Sequence, residues 1–241
     1  MKPALNKFTL ALGIILIHEK KMKTLIRGIA AGVAFLAMLA AQAAAAPPST
    51  SDTNTQLAEL YKLQAAFHRA ATVHDPVNGD SAAVTDQGIP VIDQRIKDML
   101  SLWTADATLA LIVGFDANGN PIYNYYIGRG DLDTNCPAPS TDPNNRGTIC
   151  TFFKHVSGSF QPDHKWVELG PAYKTSFDIH GNTATVYFEC WYFDASKYDP
   201  TSKLPILTLM SHPTAQGTAT KVDGVWLLSF ITGPPAELPA P

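Results

Sequence analysis

The stretch HGNTATVYFECWYF, residues 180–193, sets one carboxylate among aromatic side chains. Glu189 has Tyr187 and Trp191 two positions away on either side. On a strand these three share one face, and Val186, Phe188, Cys190 and Tyr192 share the other. A carboxylate held among aromatics is pushed toward a neutral pKa, which suits a general base. A Glu189 paired with a neighbouring cation, or turned to solvent at a rim, is structural instead. Reversing the two faces takes Glu189 out of any site and leaves His68 as the main candidate.

His68 is the second candidate base. It flanks an apolar stripe of Leu60, Leu63, Phe67 and Ala70 at helical spacing, and Tyr61, seven positions earlier, points the same way. His164 in PDHKWVELG is a third acid–base candidate. Trp103, Tyr125, His155, Tyr187 and Trp191 are candidate substrate contacts. The many aromatics favour an apolar or aromatic ligand over a sugar or phosphate. No metal motif is present. Asp75, Asp80 and Asp86 share a loop with Asn78 and Gly79, but the spacing is not that of an EF-hand and reads as a solvated acidic loop. No Gly-x-Ser-x-Gly supports a serine triad.

The elements that must position these groups follow from patterning. A capping box, Thr53-x-x-Gln56, opens the first helix. A loop over 74–89 leads to Pro90 and a second helix with Ile92, Ile96, Met99, Leu100 and Trp103 on its buried face. The period then changes to that of strands. Thr108–Phe115 and Ile122–Gly128 flank an Asn118-Gly119 turn. A short third helix is expected near 151–156, and strands over 164–178, 183–193, 204–211 and 216–231. Helices followed by antiparallel strands, with no βαβ alternation, give an α+β domain.

The N-terminus has a separate logic. From Met22, Lys23 and Arg27 precede an apolar run from Gly28 to Ala41 and an Ala-Gln-Ala cleavage pattern, the form of a secretory signal. Residues 1–46 thus read as a leader, its first 21 residues as an extension ahead of the true start. Residues 47–55 read as a tether, 56–232 as the domain and 233–241 as a Pro-rich tail. The expected location is periplasmic or secreted. Beyond residue 46 the chain carries 12 basic and 20 acidic residues, which argues against nucleic acid and against an anionic membrane surface as partner. In an exported chain, Cys136 and Cys150 flank a Pro/Asp/Asn-rich loop and are expected to pair, while Cys190 reads as a buried free thiol.

Four motifs then occur in order: Trp103-Thr-Ala-Asp-Ala107, Tyr126-x-Gly-Arg-x-x-Leu132, Gly181-Asn-Thr-Ala-Thr185 and Asp223-Gly-Val-Trp226. Together they resemble the SnoaL-like branch of the NTF2-like superfamily over about residues 55–232. The resemblance implies a cone, a curved antiparallel sheet wrapped around two to three N-terminal helices with a pocket at the open end. It implies cofactor-independent acid–base chemistry, of the lyase, dehydratase or isomerase kind, on a hydrophobic, aromatic, hydroxylated small molecule. Formaldehyde-releasing lyases acting on lignin-derived diaryl compounds are one form of that class. It also implies a homodimer or homotrimer. The alternative on the same fold is a non-catalytic periplasmic protein for small-molecule binding or assembly. The sequence departs from the isomerase pattern, because Thr108–Ile112 holds no acid. The 133–149 insertion is unusual, and a disulfide-braced lip over the pocket is the expected role.

Overall fold

The computed structural model describes residues 50–75, 79–80, 84–161, 165–169 and 175–233. The leader, the Pro-rich tail after Gly233 and His164 lie outside them. Helix α1 is Thr50–Ala71, so it begins within the stretch expected as a tether; Asp52 in its first turn complements the helix dipole. Helix α2 is Val91–Leu100, with Pro90 at its N-cap. Strands β1 (Trp103–Phe115) and β2 (Pro121–Ile127) form a hairpin. Helix α3 (Ile149–His155) follows, opened by a capping box of Thr148 and Thr151. Then come β3 (Trp166–Leu169), β4 (Ser176–His180), β5 (Thr183–Glu189), β6 (Trp191–Tyr198), β7 (Pro205–Ser211), β8 (Thr214–Val222) and β9 (Val225–Gly233). Among the described residues no helix is long and apolar enough to cross a membrane.

Six strands pair in the order β2-β1-β9-β8-β5-β4, and three in the order β3-β6-β7. The pairs are antiparallel except β1 with β9, which run parallel and correct the all-antiparallel expectation. The strand expected over 183–193 is two. The chain leaves the larger sheet after Glu189 and enters the smaller one at Trp191. The β7–β8 link bends at the same level, where Cys190 N donates to Pro213 O at 2.9 Å. Two adjacent bends curl one sheet onto the other and make the open, curved α+β cone that the sequence motifs led one to expect. Leu60, Ile96, Met99 and Leu100 from the helices and Val186, Phe188, Trp226 and Leu228 from the sheet fill its core.

Two expectations about loops are corrected. The insertion braced by Cys136–Cys150 is not a lip over a pocket. It runs along β2, the edge of the six-stranded sheet. Tyr125 N donates to Pro143 O, Arg146 N to Tyr125 O, and Ile127 N to Gly147 O, each at 2.8 Å. An uncovered edge strand would leave these groups unpaired and prone to pair with another chain. Reducing the disulfide, or replacing both cysteines by serine, is expected to lower stability by about 3 kcal/mol through a freer unfolded chain. Urea unfolding with and without reductant measures this.

The loop before α2 is not simply a solvated acidic loop. Asp80 is 1% exposed. Its carboxylate receives Arg95 Nη1 at 2.8 Å and the backbone N–H groups of His74 and Asp75. Arg95 also donates to the carbonyls of Ala70, Ala71 and Ser159. One buried guanidinium therefore fastens the end of α1 to α2 and to the turn that follows α3.

Candidate functional site

Inside the cone lies a cavity of about 390 Å³. Phe67 and Met99 from the helices, Leu109 and Tyr126 from the β1–β2 hairpin, and Phe153 and Phe160 beyond it make most of its wall apolar. Asn124, Ser157, Ser159 and Thr214 add polar groups to the wall, and one side of it carries Glu168, Cys190 and Tyr192. Glu168 and Tyr192 are register partners in the β3–β6 ladder, so their side chains leave one face together. Cys190 stands two positions before Tyr192, and Phe188 two before that. All three line the cavity, so the alternation of the strand continues through the bend.

The end of α1 is stitched to β3. Val73 N donates to Trp166 O, Thr72 Oγ1 donates to Glu168 O, and Glu168 N donates to Thr72 Oγ1. This seam brings His68, one helical turn before Thr72, against Glu168. His68 Nδ1 lies 3.1 Å from Glu168 Oε1. The carboxylate side chain is 0% exposed and the imidazole 11%. Because a carboxylate accepts, Nδ1 is the nitrogen that carries the proton in this pair. His68 Nε2 and, in the cavity wall, Trp103 Nε1 are buried with no hydrogen-bond partner among the described residues, whereas Cys190 and Tyr192 both hydrogen-bond to the Glu168 carboxylate.

Burial first, and the Glu168 carboxylate next, push the Cys190 thiol and the Tyr192 hydroxyl well above their usual pKa values. Both stay protonated at neutral pH, so Tyr192 is a standing hydrogen-bond donor beside a carboxylate. A group whose folded pKa is raised binds its proton more tightly when folded. Its contribution is complete below the unfolded value and fades as pH rises past it. Stability should hold to about pH 8.5 and then fall, more steeply past about pH 10, by up to about 1.4 kcal/mol per pH unit per group. Thermal melts from pH 7 to 11 read this out. Cys190→Ala should remove the earlier onset and leave the later one.

The structure distributes the other candidates as follows. Trp103 lines the cavity. Glu189 does not, because Tyr187 and Glu189 on β5 and Trp191 on β6 lie on the face opposite to the cavity-lining Phe188, Cys190 and Tyr192. There Glu189 Oε2 meets His212 Nε2 at 2.6 Å, Tyr187 donates to Glu189 Oε1 at 2.9 Å, and Trp191 stacks on His212 at 4.2 Å. Tyr125 is on the reverse face of β2 from the cavity-lining Asn124 and Tyr126, with its ring 5.7 Å from that of Tyr123. Tyr61 packs edge-on against Phe177, and His155 Nε2 meets Cys136 O at the disulfide loop. His68 is thus brought to a carboxylate, but to Glu168 and not to Glu189. Sequence reasoning missed Glu168. Its mark was available: WVEL is a short strand with one acid between apolar neighbours, the same pattern that drew attention to Glu189.

Neither a family model nor a curated protein matches the sequence. Among solved structures, the chain is similar to a protein of unknown function from Mycobacterium tuberculosis, at 11% identity and TM-score 0.45, covering 78% of this chain and 76% of that one. It is similar to the β subunit of a putative aromatic-ring-hydroxylating dioxygenase from Novosphingobium aromaticivorans, at 12% identity and TM-score 0.46, covering 78% and 94%. A third is a hexachlorocyclohexane dehydrochlorinase from Novosphingobium barchaimii, at 12% identity and TM-score 0.42, covering 77% and 89%.

Proposed function

We propose that this chain is an exported enzyme that moves a proton on a hydrophobic, hydroxylated aromatic small molecule, in a lyase, dehydratase or isomerase step that needs no cofactor. One observation carries the reading: a fully buried carboxylate, Glu168, held by His68 at 3.1 Å, lines a largely apolar cavity beside the protonated hydroxyl of Tyr192. Glu168 takes the proton, His68 orients the carboxylate, and Tyr192 donates to a substrate oxygen as charge develops there. The apolar wall holds the aromatic part and excludes water. The substrate class we favour is a hydroxylated diaryl compound of lignin type. The active form is a homodimer or homotrimer in the periplasm or outside the cell.

The test is a panel of hydroxylated mono- and diaryl alcohols incubated with the protein. Loss of water or of formaldehyde is followed by the absorbance of the conjugated product and by formaldehyde assay. Turnover that Glu168→Gln removes supports the reading. Turnover that Glu168→Gln leaves unchanged overturns it, and saturable binding without turnover would identify a binding protein on the same fold.

A further inference from the structure

The site has a second property that proton transfer does not use. A donor atom each from His68, Glu168 and Cys190 lie within 4.8 Å of one another. They offer an imidazole nitrogen, a carboxylate oxygen and a sulfur, which is a donor set suited to a borderline-soft divalent cation. His68 Nε2 is buried without a hydrogen-bond partner among the described residues. Cys190 is a buried free thiol, since Cys136 and Cys150 are joined.

We propose that His68, Glu168 and Cys190 bind one thiophilic divalent cation of the zinc class, with a fourth position open to the cavity. Three protein ligands and one open position is the arrangement in which such ions accept a water or a ligand oxygen. Donor atoms around a tetrahedral zinc stand about 3.3–3.8 Å apart, as bond lengths of about 2.0–2.3 Å require. Closing from 4.8 Å is within the reach of side-chain rotation. The charges agree with a cation. Glu168 brings a carboxylate to the site, and Arg95, the nearby guanidinium, is paired with Asp80.

The binding step balances as follows. The aquated cation exchanges water for imidazole nitrogen, carboxylate oxygen and sulfur, and the thiol proton goes to solvent. Binding therefore releases about one proton and tightens as pH rises. The same carboxylate cannot both hold the ion and take a substrate proton. A filled site is an inhibited one, and the ion acts as a brake on the proposed chemistry. This inference shares residues with the acid–base reading but is tested without substrate, so either can fail alone.

The experiment uses the purified protein, stripped with chelator and titrated with Zn²⁺ and with Cd²⁺ in thiol-free buffer. The expected result is one ion per chain, about one proton released per Zn²⁺ in weakly buffered solution, and the ultraviolet charge-transfer band of a cadmium–thiolate bond. Cys190→Ser should abolish the band. His68→Asn should weaken binding by at least about 10–100-fold, since losing even an indirect partner of a metal ligand has that effect. Circular dichroism checks that the variants fold, and proton release by the unaltered protein needs no variant. Absence of the band in the unaltered protein, or zinc stoichiometry that persists in both variants, overturns the proposal.

Discussion

Glu168→Gln is expected to lower kcat by about 10²–10⁴-fold, the usual contribution of one positioned acid–base group, while ligand affinity changes little. Gln has the same shape and keeps a hydrogen-bond acceptor for His68 Nδ1. The aromatic wall that gives the binding energy, including Phe67, Tyr126 and Phe153, is untouched. Only the charge and the basic site are lost. The same change should leave stability equal or higher, because it removes the desolvation cost of a fully buried carboxylate. A purely structural carboxylate would behave in the opposite way: unfolding easier, turnover scarcely moved. His68→Asn separates positioning from chemistry. It should lower kcat less than Glu168→Gln does and shift the pH profile of kcat, since His68 touches the base and not the cavity wall. Equal turnover in Glu168→Gln and the unaltered protein, across the panel, would remove Glu168 from the mechanism.

Arg95→Met is expected to cost about 3–5 kcal/mol of folding stability. Removing one partner of a buried pair leaves the other charge stranded. Here Asp80 would keep only backbone N–H donors, and the carbonyls of Ala70, Ala71 and Ser159 would lose theirs. Burial lowers the guanidinium pKa and Asp80 opposes that shift, but Arg keeps its charge. Methionine fills the space over Phe160, where the guanidinium now lies 4.9 Å from the ring centre. Domains of this kind have about 5–15 kcal/mol of stability in all, so the loss is a large share. The double variant Arg95→Met, Asp80→Asn should recover part of it, because the stranded charge is gone. Urea unfolding of the two single variants and the double measures the coupling. A cost under about 1 kcal/mol for Arg95→Met would mean that the pair is not the clamp described. Because Arg95 fastens the end of α1, its loss should also disturb the His68–Glu168 contact and depress turnover beyond the effect on stability.

The residues show where legibility in the sequence stopped. Period-two and helical spacings depend on near neighbours, so the helices, the β1–β2 hairpin with its Asn-Gly turn, and the Asp223-Gly224 turn could be placed from local pattern. The pairing of Cys136 with Cys150 was legible because both lie at the ends of one short loop. The strand through Glu189 was legible as a strand, and its two faces as sets. Which set faces inward was not. That depends on the direction in which the sheet curls at Cys190 and Pro213, and the curl is fixed by pairing with strands that come later in the chain.

What the sequence determined by itself is therefore the α+β class, the order of elements, an acidic chain beyond residue 46 and His68 as a base candidate. What only the tertiary structure decided is His68's partner. The His68–Glu168 contact closes over 100 positions and rests on a seam between the end of α1 and β3 that no local pattern encodes. Glu168 and Glu189 carry the same local pattern, an acid between apolar neighbours on a strand. The fold turns one into the cavity and the other onto the reverse face, because a strand has two faces and only the packing of the whole sheet says which is inside.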